Sequence, residues 1–142
     1  MAYPTDDKCI FCAIVAEKIP AAIVYEDNTL LAFMDAFPAS KGHTLVVPKA
    51  HYPDILSLPG DNVQHVARVA QMIARAQKVA LQPDGITVTQ FNGAASGQTV
   101  FHYHTHVVPR WQGEGVASHG REQADPETLQ ALAKQINAAL EI

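Results

Sequence analysis

Residues 102–108, which read His-Tyr-His-Thr-His-Val-Val, constrain the fold of this chain more than any other segment. Side chains in a β-strand alternate between the two faces of a sheet. The segment therefore predicts a strand over residues 100–108, with His102, His104 and His106 on one face and about 6–7 Å between successive ones. Imidazoles bind metal ions, transfer protons near neutral pH and act as nucleophiles, so such a row indicates a functional site.

The rest of the chain shows two kinds of hydrophobic pattern. Runs rich in β-branched and apolar residues predict further strands over residues 22–26, 30–34, 43–48 and 86–91. Apolar residues at helical spacing predict a long helix that Asp61 caps and that ends near residues 82–85, and a short helix is expected over residues 12–17. Asp125, followed by proline, predicts the start of a C-terminal helix. This order indicates an α+β fold with an antiparallel five-stranded sheet.

Length and charge limit the classes of function. A chain of 142 residues is expected to form one domain that spans residues 1–142. Its formal net charge of −4 argues against binding to nucleic acid or to an anionic membrane surface, although a nucleotide needs only local donors. The N-terminal residues lack the apolar stretch of a signal peptide, and no apolar run reaches the length of a membrane span. We therefore expect a cytoplasmic protein with no membrane partner.

The two cysteines, Cys9 and Cys12, form a C-x-x-C pair. In a cytoplasmic protein this spacing is more typical of a metal or redox pair than of a disulfide framework, and the strand–helix order of a thioredoxin-like motif is absent. Together with His51 and His102 the pair would complete a tetrahedral zinc set. The alternative, two buried apolar cysteines and two surface histidines, stays open from the residue types alone.

A second group comprises His104, His106 and His43. A neutral imidazole attacks phosphorus well, provided that its other ring nitrogen donates to a fixed acceptor such as a nearby backbone carbonyl. Any one of these histidines can equally be an ordinary core or surface residue, but the strict alternation favours a function. A different hypothesis makes His102, His104 and His106 the ligands of a mononuclear metal centre, which would need one more carboxylate or histidine.

The loop over residues 92–99 leads directly into the histidine segment. Its glycines permit close approach of backbone N–H groups to an anion, and Asn92, Ser96, Gln98 and Thr99 can donate to phosphate oxygens. Taken alone, the loop is as typical of a plain surface loop. No glycine-rich loop of the Walker type precedes a Lys-Ser or Lys-Thr pair, so a P-loop mechanism is not supported.

These motifs together resemble the histidine triad (HIT) family, in its zinc-containing prokaryotic branch. The resemblance rests on residues 102–108 and on matches in the same order at residues 9–12, 19–20, 24–27, 32–35, 42–51 and 97–101. It covers roughly residues 9–110, whereas the tail and helix over residues 111–142 match no motif. His65 and His119 match no family position, and we expect them to be ordinary surface residues.

The resemblance implies homodimers whose two sheets join into one continuous sheet. It also implies an enzyme that hydrolyses or transfers nucleoside monophosphates from phosphoramidates, acyl-adenylates or dinucleoside polyphosphates, with purine nucleoside phosphoramidates as the favoured substrates. Cleavage of dinucleoside polyphosphates is the alternative within this class. A nucleotide-binding or partner-binding module with incidental catalysis is the alternative outside it.

The resemblance further implies roles for individual residues. His104 would attack the α-phosphorus while the carbonyl of His102 holds its other ring nitrogen, and His106 and His43 would contact phosphate or tune the site. The remaining nucleotide contacts would be Gln98 and Thr99 with the phosphate and the leaving atom, Asn92 with ribose or phosphate, Asp35 with the ribose hydroxyls and Phe33 with the base. Cys9, Cys12, His51 and His102 would bind a structural zinc, which would fix His102 beside the nucleophile.

Overall fold

The structure, a computed structural model, describes residues 3–141. Its helices are α1 (Ile10–Val15), α2 (Gly60–Leu81) and α3 (Pro126–Ala138). Its strands are β1 (Ile23–Glu26), β2 (Leu30–Met34), β3 (Thr44–Pro48), β4 (Gly85–Thr89) and β5 (Thr105–Arg110), and a short 3-10 turn spans Ala94–Ser96. None of the helices in this described part has the length and apolar content that crossing a membrane requires.

The five strands form one antiparallel sheet in the order β1-β2-β3-β5-β4. The predicted α+β fold with an antiparallel five-stranded sheet is therefore confirmed. Because β5 lies between β3 and β4, Leu45 of β3 is the direct partner of His106. Directly paired residues of antiparallel strands project from the same face, so His106 of β5 and Leu45 of β3 share one side of the sheet.

The two faces of the sheet are covered by different helices. Helices α2 and α3 cover one face, where Val46 and Val107 of the strands pack with Ile73 and Ile136 of the helices in the main core. Each such buried side chain stabilises the fold by about 1.5–3 kcal/mol. On the opposite face a smaller cluster lies under α1 and consists of Phe11, Leu31, Phe33, Leu45 and Val47. The histidine site is built on this second face.

Two helix caps were predicted, and one prediction is wrong. Asp125 accepts a hydrogen bond from the Thr128 N–H at 3.4 Å and Pro126 is the first helical residue, so the predicted start of α3 is confirmed. Asp61, in contrast, lies inside α2 and does not cap it. The helix follows Pro59, whose carbonyl accepts from the N–H groups of Asn62 and Val63, and this backbone contact replaces a side-chain cap.

The predicted strand over residues 100–108 is too long, since β5 begins only at Thr105. The preceding residues leave the sheet for other partners. The Tyr103 N–H donates to the Tyr52 carbonyl at 2.7 Å, and the His102 ring donates to the Pro48 carbonyl at 2.7 Å. His102 and His104 therefore lie before the regular strand, and only His106 of the three histidines belongs to β5.

Candidate active site and metal centre

Four potential metal ligands converge where α1 meets the end of β3. Cys9 is the N-cap of α1, and its Sγ accepts the Cys12 N–H at 3.4 Å. The short helix thus folds the C-x-x-C pair into one turn with both thiols on the same side. His51 follows β3 and His102 precedes β5, and the ligand atoms of all four residues lie within 4.8 Å of one another.

The separations of these atoms match a tetrahedral zinc site. The Nδ1 atom of His102 lies 3.4 Å from Sγ of Cys9, 3.6 Å from Sγ of Cys12 and 3.2 Å from Nδ1 of His51. Zinc bonds of about 2.3 Å to sulfur and about 2.0–2.1 Å to nitrogen place tetrahedral ligands about 3.3–3.8 Å apart. Two thiolates and two imidazoles complete four-coordination, so the residues present fit a zinc ion with no open coordination position.

The chemistry of the donor set agrees with this geometry. His102 donates from Nε2 to the Pro48 carbonyl, which leaves the lone pair on Nδ1 for a metal, and burial lowers its pKa to about 4. Burial also raises the pKa of the Cys12 thiol to about 11. A bound cation reverses that effect, because a coordinating thiol is deprotonated.

His104 is held as a neutral imidazole with one free lone pair. Its Nδ1 lies 2.7 Å from the His102 carbonyl, which only accepts, so Nδ1 carries the proton and Nε2 the lone pair. The side chain is 6% exposed, and burial lowers its pKa. The Phe11 ring packs edge-on against it with centroids 5.1 Å apart. This is the hydrogen bond that the family resemblance implies for a nucleophilic histidine.

A chain of hydrogen bonds sets the tautomers of His43 and His106. The Ala39 N–H donates to Nδ1 of His43 at 2.9 Å, so the proton of His43 is on Nε2. That N–H donates to Nδ1 of His106 at 2.9 Å, which leaves the His106 proton on Nε2. This Nε2–H group is buried and has no partner among the described residues. Burial lowers the pKa of both histidines to about 3, so both stay neutral.

Asp35 lies beside this chain. Its Oδ1 accepts the Phe37 N–H at 2.8 Å, whereas Oδ2 is 3.5 Å from Nε2 of His43. Burial raises the pKa of Asp35. Asp35, His43 and His106 are also close enough to be considered as metal ligands. The 2.9 Å between the two ring nitrogens is a hydrogen bond, however, and is shorter than the spacing of about 3.3 Å for two nitrogens on one zinc.

An apolar cavity of about 550 Å³ opens next to the site, between α1, β2 and the start of α3. Phe33, which is 3% exposed, lies in its wall and packs edge-to-face against Phe11 with centroids 5.4 Å apart. Leu129 and Gln130 of α3 close the other side. Flat apolar walls with a few polar groups suit a planar heterocycle.

The loop over residues 92–99 is held by its own side chains. Gln98 is 4% exposed, donates to the carbonyls of Pro53 and Val100, and accepts the Gly93 N–H. A contact of Gln98 with phosphate would have to replace one of these bonds. Asn92 forms a paired amide contact with Gln90 and accepts the Ile55 N–H, so one of its N–H groups is free. Thr99 is exposed.

The ring nitrogens of the triad face three different partners. His102 turns Nδ1 to the cysteines, His104 turns Nδ1 to a carbonyl, and His106 turns Nδ1 to His43. Within residues 3–141 the three rings do not form a joint metal-ligand group. The alternative of a mononuclear centre built on these three histidines is therefore not supported.

Sequence reasoning missed two residues of the site. Phe11 belongs to the C-x-x-C segment but packs on both His104 and Phe33. His119 is exposed, as expected for a surface residue, but its ring lies 5.6 Å from that of His106, a contact that was not expected. No spacing signal marks His119, because only the path of the chain after β5 brings it to the site. His65 has its own partner, with Nε2 2.7 Å from Oδ2 of Asp27.

Known proteins share this fold and these motifs. The HIT domain model matches residues 16–113. Protein hit of Bacillus subtilis (strain 168) is 40% identical over 134 residues, which cover 92% of each chain. A Zn-bound histidine triad family protein from Mycobacterium smegmatis superposes with a TM-score of 0.83, at 40% identity over 93% of this chain and 92% of that one.

A further solved structure carries a functional name. A hypothetical histidine triad nucleotide-binding protein from Sulfolobus tokodaii strain7 superposes with a TM-score of 0.85, at 32% identity over 92% of this chain and 91% of that one. The family model covers more than half of the chain, and the relatives are 32–40% identical over more than nine tenths of it. The chain therefore belongs to the HIT domain family, whose proteins are in general nucleotide-binding hydrolases and transferases.

Proposed function

We propose that this protein cleaves purine nucleoside phosphoramidates, or related nucleotides, at the α-phosphate through a nucleotidyl-histidine intermediate on His104. The observation that carries the proposal is the hydrogen bond from Nδ1 of His104 to the His102 carbonyl. It leaves the nucleophilic lone pair on Nε2 of a ring whose pKa burial has lowered. The ring is therefore ready to attack at neutral pH without first losing a proton.

The chemistry proceeds in two displacements. Nε2 of His104 bonds to the α-phosphorus while the bond from phosphorus to the leaving group breaks, and the leaving group departs with that electron pair. The departing group takes up a proton from solvent. Water then attacks the same phosphorus and releases a proton to solvent, while the electron pair of the His104–phosphorus bond returns to Nε2 and nucleoside monophosphate is released. The unpaired Nε2–H of His106, on a ring 4.9 Å from that of His104, is placed to stabilise charge on the phosphate oxygens.

The apolar cavity supplies the nucleoside subsite in this proposal. Phe33 contacts the base, and Asp35, whose Oδ2 has spare accepting capacity, takes the ribose hydroxyls. Thr99 and the remaining N–H of Asn92 contact the phosphate or ribose, with Gln98 as the brace of their loop. The Sulfolobus tokodaii relative is described as a nucleotide-binding protein, which supports this assignment.

Cys9, Cys12, His51 and His102 would hold zinc in a structural role. A zinc ion there would tie α1 to the ends of β3 and β5 and contribute folding free energy. It would also fix the backbone of His102, whose carbonyl orients the nucleophile. The Zn-bound relative from Mycobacterium smegmatis supports the choice of metal.

A homodimer joined through β4 completes the proposal. Within residues 3–141, β4 pairs with β5 alone, so its other edge has free backbone groups. Val88 of β4 is 54% exposed beside a groove of about 520 Å³ between α2 and β4. A second copy related by a two-fold axis would extend the sheet and cover this groove. Analytical ultracentrifugation tests this interface: we expect the wild type to sediment as a dimer and Val88→Glu to sediment as a monomer.

A cytoplasmic location and the lack of a nucleic-acid partner stay predictions.

Turnover and trapping test the enzyme proposal. Wild-type protein is incubated with radiolabelled adenosine and guanosine phosphoramidates, quenched and examined for label on the protein. We expect label on His104 and steady release of the monophosphate. His104→Ala should abolish both, while the matched control His65→Ala, a histidine far from the cavity and paired with Asp27, should keep them.

Two other outcomes would change the conclusion. Turnover by His104→Ala at the wild-type rate would end the proposal of a covalent intermediate. Tight binding of AMP without turnover of phosphoramidates or of dinucleoside polyphosphates would favour a nucleotide-binding module. Faster cleavage of dinucleoside polyphosphates than of phosphoramidates would move the choice of leaving group to the alternative substrate class.

A further inference from the structure

The segment between β5 and α3 folds back over the histidine site. It places the ring of His119 against the ring of His106, with centroids 5.6 Å apart and planes at 73°. His119 is exposed, whereas His106 is 1% exposed. The roles already proposed for the site use neither His119 nor the segment that carries it.

Backbone contacts on both sides of His119 hold the segment in place. Ahead of it, the Arg110 guanidinium donates to the Ala117 carbonyl at 2.8 Å. Behind it, the Gly120 N–H donates to the Phe37 carbonyl at 3.0 Å, and the Ala124 N–H donates to the Ala36 carbonyl at 2.8 Å. These contacts join the segment to the loop that follows Asp35, so His119 is positioned by the fold.

Gly120 is required for this approach. A Cβ atom at residue 120 would lie 2.1 Å from the carbonyl oxygen of Pro38, a distance that no side chain tolerates. The missing side chain therefore lets two backbones pack closely directly beside His119. Such a close approach sets the position of the neighbouring ring within the site.

His119 lies beside a buried donor that can bind an anion. Its neighbour His106 has a buried Nε2–H with no partner in the described part of the chain. His119 therefore packs on the ring that carries this unpartnered donor, and that ring in turn lies 4.9 Å from the ring of His104.

We propose that His119 is a further nucleotide-contacting residue, which donates a hydrogen bond to a non-bridging oxygen of the α-phosphate alongside His106. This inference rests on the proposed function, because it needs a nucleotide phosphate at His104. An imidazole carries an N–H donor in its neutral form and two in its protonated form, so the contact needs no particular protonation state. A ring that merely packs on His106 would not distinguish a phosphate from a hydroxyl.

The comparison of AMP with adenosine tests this difference. Both ligands fill the cavity with the same base and ribose, but only AMP has a phosphate. Dissociation constants are measured by calorimetry for wild type, His119→Ala, His119→Gln and the control His65→Ala, all zinc-loaded. We expect His119→Ala to weaken the binding of AMP by about tenfold or more, which is the usual loss for one hydrogen bond to a charged group. The affinity for adenosine should be unchanged.

The other variants sharpen the result. His119→Gln keeps a donor and should recover part of the AMP affinity, while His65→Ala should match wild type for both ligands. Equal weakening of AMP and adenosine, or unchanged AMP binding, in His119→Ala would overturn the phosphate contact. If the wild type binds neither ligand, the proposed function itself is refuted. If the wild type binds both ligands and His119→Ala binds AMP equally well, this inference alone is refuted.

Discussion

His43 and His106 should make this protein sensitive to mild acid. Both are fully or almost fully buried, at 0% and 1% exposure, and burial lowers the pKa of each to about 3. In an unfolded chain a histidine has a pKa of about 6.5. Between these values the unfolded state binds more protons than the native state, so the stability present above about pH 6.5 is lost as the pH falls toward 3.

The size of the loss at pH 5 depends only on the unfolded state, because the native pKa values lie well below that pH. At pH 5 the pH lies about 1.5 units below the unfolded pKa of about 6.5, and each unit corresponds to about 1.4 kcal/mol per histidine. Each of the two histidines therefore lowers the free energy of unfolding by about 2 kcal/mol between pH 8 and pH 5. Replacing His106 should therefore make the decrease in the free energy of unfolding between pH 8 and pH 5 smaller by about 2 kcal/mol.

Urea unfolding at pH 8 and pH 5 measures the difference. We compare wild type with His106→Asn, at the same zinc concentration, and take the change in the free energy of unfolding between the two pH values. Asp125→Ala is the matched control, since it lowers stability without touching a histidine and should keep the wild-type change. An identical change in wild type and His106→Asn would refute the conclusion that His106 is held neutral in the folded protein.

Three further outcomes are expected. Gly120→Ala should weaken AMP binding in the same assay as His119→Ala, because its Cβ would meet the Pro38 carbonyl at 2.1 Å; unchanged AMP affinity would contradict the close packing. Removal of zinc by a chelator should lower the melting temperature of wild type but not of Cys12→Ser, which lacks one ligand of the proposed site; equal melting shifts would argue against a structural ion. Asp125→Ala should lower the free energy of unfolding by about 1 kcal/mol in urea titrations through loss of the α3 cap, and a change near zero would show that the cap contributes nothing.

Much of the fold follows from local sequence patterns. The β-branched runs over β2 and β3 and the Asp125-Pro126 pair act within a few residues, so the strands and the start of α3 could be predicted. Asp61 was misjudged because a competing backbone acceptor, the Pro59 carbonyl, does not show in a sequence pattern. Gln77 is a similar case: it is fully buried in α2 and donates to the carbonyls of Gly42 and Val107, where the helical pattern alone would suggest an apolar residue.

The sequence by itself determined which chemical groups this protein has: the spaced imidazoles, the C-x-x-C pair and the motifs of the HIT family. Only the tertiary structure decided which nitrogen of His102, His43 and His106 carries the proton. The carbonyls of Pro48 and His102 and the N–H of Ala39 set the tautomers of His102, His104 and His43, and His43 in turn sets that of His106. The tertiary structure also brought His119 to His106. The partners that set the tautomers of His102 and His106 lie 54 and 63 residues away in the chain but adjacent in space, and local patterns contain no record of such contacts.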